Sequence, residues 1–206
     1  AGDNAVNGDE AEAGFAITGT GEPGATITLT NGSSNVIGTS IVNSDGTWSV
    51  AVDEAAIAAM GEGPETITAT ATDLSNNVST PTTAEIIVDT MVPAAPTVTV
   101  NADGTEITGT GEPGATIEID TNGDGIPEYT ATVDENGDYT VDTSGDPLIN
   151  GETVTATVTD PAGNTSEPSL TAAPGDETAP AAPTIDTPVA GDNAVNGDEA
   201  EAGFAI

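Results

Sequence analysis

Oxygen-bearing side chains alternate along a nine-residue stretch, DTNGDGIPE at 120–128. The stretch follows the D-x-N-x-D-G pattern of a calcium-binding loop, in which Gly125 permits a sharp bend. Position 12 of the loop is Ala131, where an EF-hand has a glutamate. The spacing predicts a calcium site, and the alternative is a solvated loop with no ion. The candidate ligands are Asp120, Asn122, Asp124, Ile126 through its backbone carbonyl, and Glu128.

The composition makes charge compensation necessary. Among 206 residues there are 35 aspartates and glutamates and no lysine, arginine, histidine or cysteine. Two carboxylates about 4 Å apart repel by ~4 kcal/mol at an effective dielectric near 20, so clustered acids require solvation, protonation or bound cations. We expect no binding to nucleic acid and no insertion into a membrane, because the basic residues and the ~18-residue apolar stretch that these need are missing.

Internal repeats divide the chain into domains. ITGTGEPGATI stands at 17–27 and again at 107–117, and TATATD at 68–73 returns as TATVTD at 155–160. The chain's opening AGDNAVNGDEAEAGFAI returns unchanged at 190–206. A modular array of related domains follows from this pattern. The predicted boundaries are 1–89 for domain one, 90–96 for a Pro-rich linker, 97–176 for domain two, and 177–206 for a linker and the partial start of a third repeat.

Short apolar-alternating segments separated by Gly, Asp and Pro turns indicate an all-β fold. Their number predicts two tandem immunoglobulin-like β-sandwiches, and a barrel is the structural alternative. The Glu-Pro-Gly corners at Gly24 and Gly114 fit type II turns and predict hairpins, as does the Asp-Gly pair at Asp45. The segment DEAAIAAMG predicts one or two helical turns, with Asp53 as the N-cap and Gly61 as the stop.

Oxygen ligands from distant parts of the chain should converge at one pole of domain two. In the predicted strand order, the B–C and F–G turns lie at the pole that the last strand of domain one reaches. These places are occupied by Asp89 in the linker, Glu112 at the corner, and Asp160 with Asn164 in the F–G loop. They predict a second calcium site at the joint, and the alternative is local turn chemistry. Incomplete sites are predicted at Glu22, Asp73 and Asn77 in domain one and at Asp176 after domain two.

Two aromatic residues occupy matching positions in the two domains. Trp48 follows Asp-Gly-Thr and Tyr139 follows Asn-Gly-Asp, each at the start of a strand. Contact with carbohydrate is one interpretation. We expect instead that each ring anchors the interior of its sandwich, because large aromatic side chains dominate small cores.

Four motifs, taken in order, resemble a known family. GTGEPGATI, V-x-x-D-G-T-W-S-V, T-x-T-D-x-x-G-N and D-x-T-x-P-x-A-P are similar to the bacterial Ig-like repeats of giant type-I-secreted adhesins and biofilm-associated surface proteins. The resemblance implies extender domains at the bacterial cell surface, joined to neighbouring repeats and stiffened by calcium at the joints. Its ligands would be Asp89, Glu112, Asp160 and Asn164. Domain one departs from the pattern, since Asn76 stands where the motif has glycine.

Two other functions remain to be weighed. An enzyme could use only a carboxylate pair, and the acids here map to turns and joints, so we predict no catalysis. A calcium-dependent lectin-like module would need an exposed aromatic near an ion, for which Tyr129 is the candidate. Glycan-array binding would favour that alternative over the extender.

The tail raises the prospect of self-association. Residues 184–206 repeat the start of a domain, while domain one lacks the segment that precedes the matching corner in domain two. An unpaired sheet edge would accept a strand from another chain, so 184–206 could join molecules head to tail. The alternative is a frayed stub.

Overall fold

The computed structural model describes residues 4–175 and 179–184. The chain divides into two units, 1–175 and 176–206. In the second unit residues 179–184 belong to no helix or strand. Asp176 and most of the predicted third repeat therefore lie outside the described residues. Of the described helices, none is long and apolar enough to cross a membrane.

Domain one is a sandwich of two sheets. Its larger sheet has the strand order β1-β7-β6-β3-β4, and its smaller sheet pairs β2 with β5. The elements are β1 (Ala5–Val6), α1 (Gly8–Ala13), β2 (Phe15–Thr20), β3 (Thr26–Thr30), β4 (Val36–Ile41), β5 (Thr47–Val52), α2 (Glu54–Ala58), β6 (Gly63–Thr72) and β7 (Thr82–Val88).

Domain two repeats this plan with one more strand in its smaller sheet. One sheet has the order β11-β10-β13-β14 and the other β12-β9-β8. The strands are β8 (Thr99–Val100), β9 (Glu106–Thr110), β10 (Thr116–Asp120), β11 (Tyr129–Thr132), β12 (Asp138–Asp142), β13 (Thr153–Thr159) and β14 (Ser169–Ala172). The predicted all-β architecture of two immunoglobulin-like sandwiches is confirmed.

Each sandwich encloses its own apolar core, built by alternation along the strands. In β5, Trp48, Val50 and Val52 point inward, while the residues between them are exposed. Trp48 and Tyr139 belong to the two separate core clusters, at 9% and 4% exposure. The prediction that these rings are core anchors is confirmed. Burying each large side chain stabilises its domain by about 1.5–3 kcal/mol.

The predicted hairpins at the Glu-Pro-Gly corners are wrong. Gly24 has the expected φ of +86°, and the amide of Ala25 donates to the carbonyl of Glu22. However, β2 and β3 lie in different sheets, so the corner connects the sheets. The reason is that the corner bonds to another segment: Gly21 N donates to Gly46 O, and Gly24 N donates to Val42 O.

The Asp-Gly turn also joins the two sheets, since β4 and β5 do not pair. Gly46 adopts the positive φ that the turn requires, +84°. The predicted turn is therefore present, but the predicted hairpin is wrong.

The predicted helical turns after Asp53 are present as α2. Asp53 accepts a bond from the amide of Ala56, but the helix ends at the C-cap Ala59 rather than at Gly61.

The beginning of domain one contains two elements that the sequence analysis did not predict. β1 pairs in parallel with β7, through bonds from Ile87 N to Asn4 O and from Asp89 N to Val6 O. Helix α1 follows, with Asn7 as its N-cap. These two elements bring the start of the domain beside its last strand and the linker.

Candidate metal centre and domain joint

The predicted calcium loop connects β10 to β11. Its first ligand, Asp120, accepts three backbone amides: Asn122 N at 3.0 Å and Gly123 N at 2.6 Å on Oδ1, and Gly125 N at 2.8 Å on Oδ2. Gly123 and Gly125 have φ values of +77° and +82°, which strain other residues. The backbone of this loop therefore folds around the carboxylate of Asp120.

The next side chains continue this pattern. The side-chain oxygen of Asn122 accepts from the amide of Asp124, and Asp124 Oδ1 accepts from Ile126, both at 2.8 Å. Glu128 Oε2 accepts from the amide of Thr121 at 2.7 Å. Each oxygen-bearing residue thus fixes the backbone ahead of or behind it, which holds the candidate ligands in place.

Three carboxylates converge in this loop. One oxygen from each of Asp120, Asp124 and Glu128 lies within 4.8 Å of the other two, the one such acidic group in the described part of the chain. The amide of Gly123, with those of Gly125 and Asn122, holds the pKa of Asp120 below its ordinary value. Asp120 is therefore ionised at neutral pH, and the three side chains together would offer hard oxygen ligands to a dication. Ile126 is 67% exposed, so this residue lies at the surface of the loop.

The corresponding loop of domain one has no such group. It connects β3 to β4, and Asn31 Oδ1 accepts from the amides of Ser33 and Asn35. Asn31 thus organises this turn from within, and the carboxylate of Glu65 in β6 accepts the amide of Gly32 at 3.1 Å from outside it. A loop without acidic residues of its own supplies an internal control for the acidic loop of domain two.

The joint between the two domains is closed through Asn164. Its Nδ2 donates at 2.8 Å to the backbone carbonyl of Asp89, and its Oδ1 accepts at 2.8 Å from the amide of Gly8. Nδ2 also donates to Asp160 Oδ2 at 2.8 Å. Asn164 and Asp160 are buried, at 6% and 5% exposure. One side chain of domain two therefore bonds to both ends of domain one.

Domain one contains the same pair, which bonds within its own loop in the described part of the chain. Asn77 Nδ2 donates to Asp73 Oδ2 at 2.7 Å, and this bond is the main reason that the pKa of Asp73 is lowered. Asn77 is exposed, whereas its counterpart Asn164 is covered by domain one. The pair forms in either setting, and contact with the preceding domain is what buries it.

Gly163 explains the departure at Asn76. A Cβ at Gly163 would lie 3.0 Å from the side-chain nitrogen of Asn7, and the residue has φ +96°. Asn76 has φ +66°, a conformation that asparagine tolerates, in the exposed loop of domain one. Glycine is therefore needed at the position where a neighbouring domain approaches.

The four predicted joint ligands are brought together in part. Asp89, Asp160 and Asn164 meet, with Asp89 contributing its carbonyl, while Glu112 is exposed on the corner. In the described residues the carboxylates of Asp89, Glu112 and Asp160 do not form a converging group. Glu22 is likewise exposed. The calcium site at the joint stays a prediction.

Sequence reasoning missed Gly8 and its helix. The signal was present in NGDE at 7–10, where Asn7 and Glu10 form a capping box: Asn7 Oδ1 accepts from Glu10 N at 2.9 Å. This cap fixes the first turn of α1 and so positions the Gly8 amide. Tyr129, the candidate for a lectin-like contact, is partly buried against the core of domain two.

Comparison with known proteins places this architecture in a family. No curated protein matches the chain. Similar solved structures include a Ca²⁺-stabilised adhesin that helps an Antarctic bacterium reach out and bind ice, with 30% identity over 84% of this chain and 46% of that one (TM-score 0.45). Another is a tetra-tandem repeat in the extending region of a large adhesion protein, with 25% identity over 82% of this chain and 48% of that one (TM-score 0.35). A third is the BSP domain of a biofilm-associated protein, with 22% identity over 80% of this chain and 28% of that one (TM-score 0.37).

The chain spans less than half the length of each of these structures. A family described as bacterial Ig domain matches residues 2–87 and again residues 92–175, which correspond to the two sandwiches. The chain therefore belongs to the bacterial Ig domain family, with two members in tandem.

Proposed function

We propose that this chain is an extender module of a large bacterial cell-surface adhesin, projecting a distal adhesive domain away from the cell. The observation that carries the proposal is the joint. A buried asparagine of domain two bonds to the first helix of domain one through Gly8 and to its linker through Asp89. Two bonds to separate points of one domain restrict rotation, which is what a spacer requires.

Calcium is proposed to stiffen this module. The acidic loop at 120–128 is the better-supported site, because three of its carboxylates already converge. An ion there would relieve repulsion and tie the end of β10 to the start of β11. The joint, with Asp89, Glu112, Asp160 and Asn164, is the second proposed site. Neighbouring repeats of the same chain are the proposed partners, and the extracellular cell surface is the proposed location.

The test compares two matched variants by small-angle X-ray scattering. Asn164→Ala removes the bonds across the joint, and we expect it to broaden the distribution of interdomain distances. Asn77→Ala removes the same local partner from Asp73 but touches no neighbouring domain. The scattering curve of this variant should match that of the native chain, both in calcium and without it.

The extender proposal fails if the native chain scatters like two freely jointed domains in calcium, or if the two variants behave alike. Thermal melting of each variant monitors folding, so that a loosened joint is distinguished from an unfolded domain.

A further inference from the structure

The peptide group between Asp89 and Thr90 is hydrogen-bonded on both of its sides. Its carbonyl oxygen accepts Nδ2 of Asn164, from domain two, at 2.8 Å. Its N–H donates to Oε2 of Glu62, from domain one, at 2.9 Å. A trans peptide group is planar, so its carbonyl and its N–H point in opposite directions and turn together. The two domains therefore hold opposite sides of one rigid group.

Glu62 holds this group with both of its carboxylate oxygens. While Oε2 accepts the amide of Thr90, Oε1 accepts the hydroxyl of the same residue at 2.5 Å. The amide of the preceding residue, Asp89, donates to the carbonyl of Val6 in β1 at 3.0 Å. Domain one thus fixes two successive amides of the linker, one through β1 and one through Glu62.

The same series of hydrogen bonds continues into domain two. The second hydrogen on Asn164 Nδ2 is donated to Asp160 Oδ2, and Asp160 Oδ1 accepts the amides of Ala162 and Asn164. A peptide group whose N–H donates to a carboxylate is polarised, so its carbonyl becomes a stronger acceptor. Glu62 therefore strengthens the bond that Asn164 makes across the joint and also fixes the direction of that bond.

The sandwich fold does not require a carboxylate at this position. Pro64 in β6 is paired with Ile87, and the matching contact in domain two is the bond from Gly151 N to the carbonyl of Pro174. Two residues before Gly151 is Ile149, which is therefore the counterpart of Glu62. Both side chains are exposed. The carboxylate of Glu62 thus differs from its counterpart in holding the linker, not in completing a core.

We infer that Glu62 is a positioning residue of the joint. Its carboxylate sets the plane of the Asp89–Thr90 peptide group, and thereby the direction from which Asn164 bonds to domain one. Glu62 acts through the linker, and the residue that crosses the joint is Asn164. The inference rests on the proposed extender function, because a spacer needs a joint that keeps one angle.

Residual dipolar couplings of backbone amides test this role, because they report the alignment of each domain separately. Domains held at one angle share a single alignment tensor, whereas domains that move relative to each other require one tensor each. We expect a shared tensor for the native chain and separate tensors for Glu62→Ala. A carboxylate that served only to stabilise domain one would leave the tensor shared. Dispersed amide spectra from both domains show that a variant is folded.

Glu85→Ala is the matched control. Both oxygens of Glu85 accept the hydroxyl of Thr66, in a contact between β7 and β6 outside the linker. The variant removes the same charge and the same type of contact, so the shared tensor should persist. Glu62→Gln should also keep it, because the amide oxygen accepts the Thr90 N–H and the amide nitrogen donates to the Thr90 hydroxyl.

A double variant shows whether Glu62 and Asn164 act through the same peptide group. Asn164→Ala should itself separate the two tensors, and adding Glu62→Ala should separate them no further. A shared tensor in Glu62→Ala, separate tensors in Glu85→Ala, or a full additional effect in the double variant would overturn the role of Glu62. If the native chain itself required two tensors, the extender proposal would fail as well.

Discussion

At the scale of single residues, the joint depends on one asparagine whose surroundings differ between two copies of the same motif. Asp160–Asn164 and Asp73–Asn77 make the same internal bonds. Only Asn164 also reaches a neighbouring domain, through Asp89 and Gly8. The motif therefore forms with or without contact to another domain, which suits a chain assembled from repeats.

A pH dependence follows from the turn before β12. Asp134 accepts the amides of Asp138 and Asn136, and these bonds hold its pKa below the ordinary 3.8. A depressed pKa in the folded state contributes stability at neutral pH, and the contribution is lost as the pH falls through the lowered value. Asp134→Asn should lower the melting temperature at pH 7, and the difference from the native chain should shrink below pH 3.8.

Melting curves from pH 7 down to pH 2 measure this effect. Asp103→Asn, at an exposed aspartate outside this turn, is the control and should track the native chain throughout. A deficit for Asp134→Asn that stays constant with pH would show that the turn does not depend on ionisation.

At the scale of elements, close approach of backbones decides where β8 can lie. A Cβ at Gly109 in β9 would meet the carbonyl oxygen of Thr97 and the ring of Tyr139. The hydroxyl of Tyr139 donates to that same carbonyl at 2.7 Å, and burial raises its pKa to about 12. The segment before β8 and the ring of Tyr139 therefore both pack against Gly109. Moving either one would break the hydrogen bond between Tyr139 and Thr97.

Gly109→Ala should consequently destabilise domain two by about 1–3 kcal/mol, the usual cost of overfilling a well-packed site. Gly145→Ala, at a position with nothing within 4 Å of the added Cβ, should have little effect. Urea unfolding followed by circular dichroism measures the change.

The single tryptophan, Trp48, lies in domain one, so its fluorescence transition should stay in place in both variants. A shift of that transition by Gly109→Ala would mean that the two domains do not unfold independently.

At the scale of the whole molecule, net charge dominates. A formal charge of −35 makes the folded state repel itself, and the Debye length of about 8 Å at physiological ionic strength screens this only in part. Under the extender proposal, dications bound at the 120–128 loop would remove charge where three carboxylates converge. The extender proposal thus connects charge to stability as well as to shape.

We expect calcium to raise the melting temperature well beyond the effect of sodium chloride at equal ionic strength. A site occupied only in the folded state contributes about 2.7 kcal/mol at one hundred times Kd. Magnesium should do little, because it requires a tighter octahedral shell. Differential scanning calorimetry in calcium, magnesium and chelator measures the shifts.

Asp124→Asn should reduce the calcium-specific shift, whereas Asp103→Asn, which makes the same change of charge outside the loop, should preserve it. A calcium effect no greater than that of matched salt would remove calcium from the proposed function.

The sequence predicted local conformation well and long-range pairing less well. Gly24 and Asp53 were correctly predicted because a turn or a cap is determined by a few adjacent residues. The predicted hairpins were wrong because apolar and polar residues alternate in the same way along the strands of both sheets. This alternation does not indicate which sheet a strand joins. The burial of Asn164 depends on Gly8, a residue far away in the chain. Such a contact has no local signature apart from the cap at Asn7.

The parallel pairing of β1 with β7 also determines how domain one bears mechanical force. The chain enters through β1 and leaves through β7, and bonds from Ile87 to Asn4 and from Asp89 to Val6 join them directly. Tension on the two ends slides one strand along the other and loads both bonds together, whereas peeling would break them one at a time. In domain two the described strands β8 and β14 are not paired with each other. Stretching single molecules should therefore give two unequal rupture forces, with the larger one in domain one.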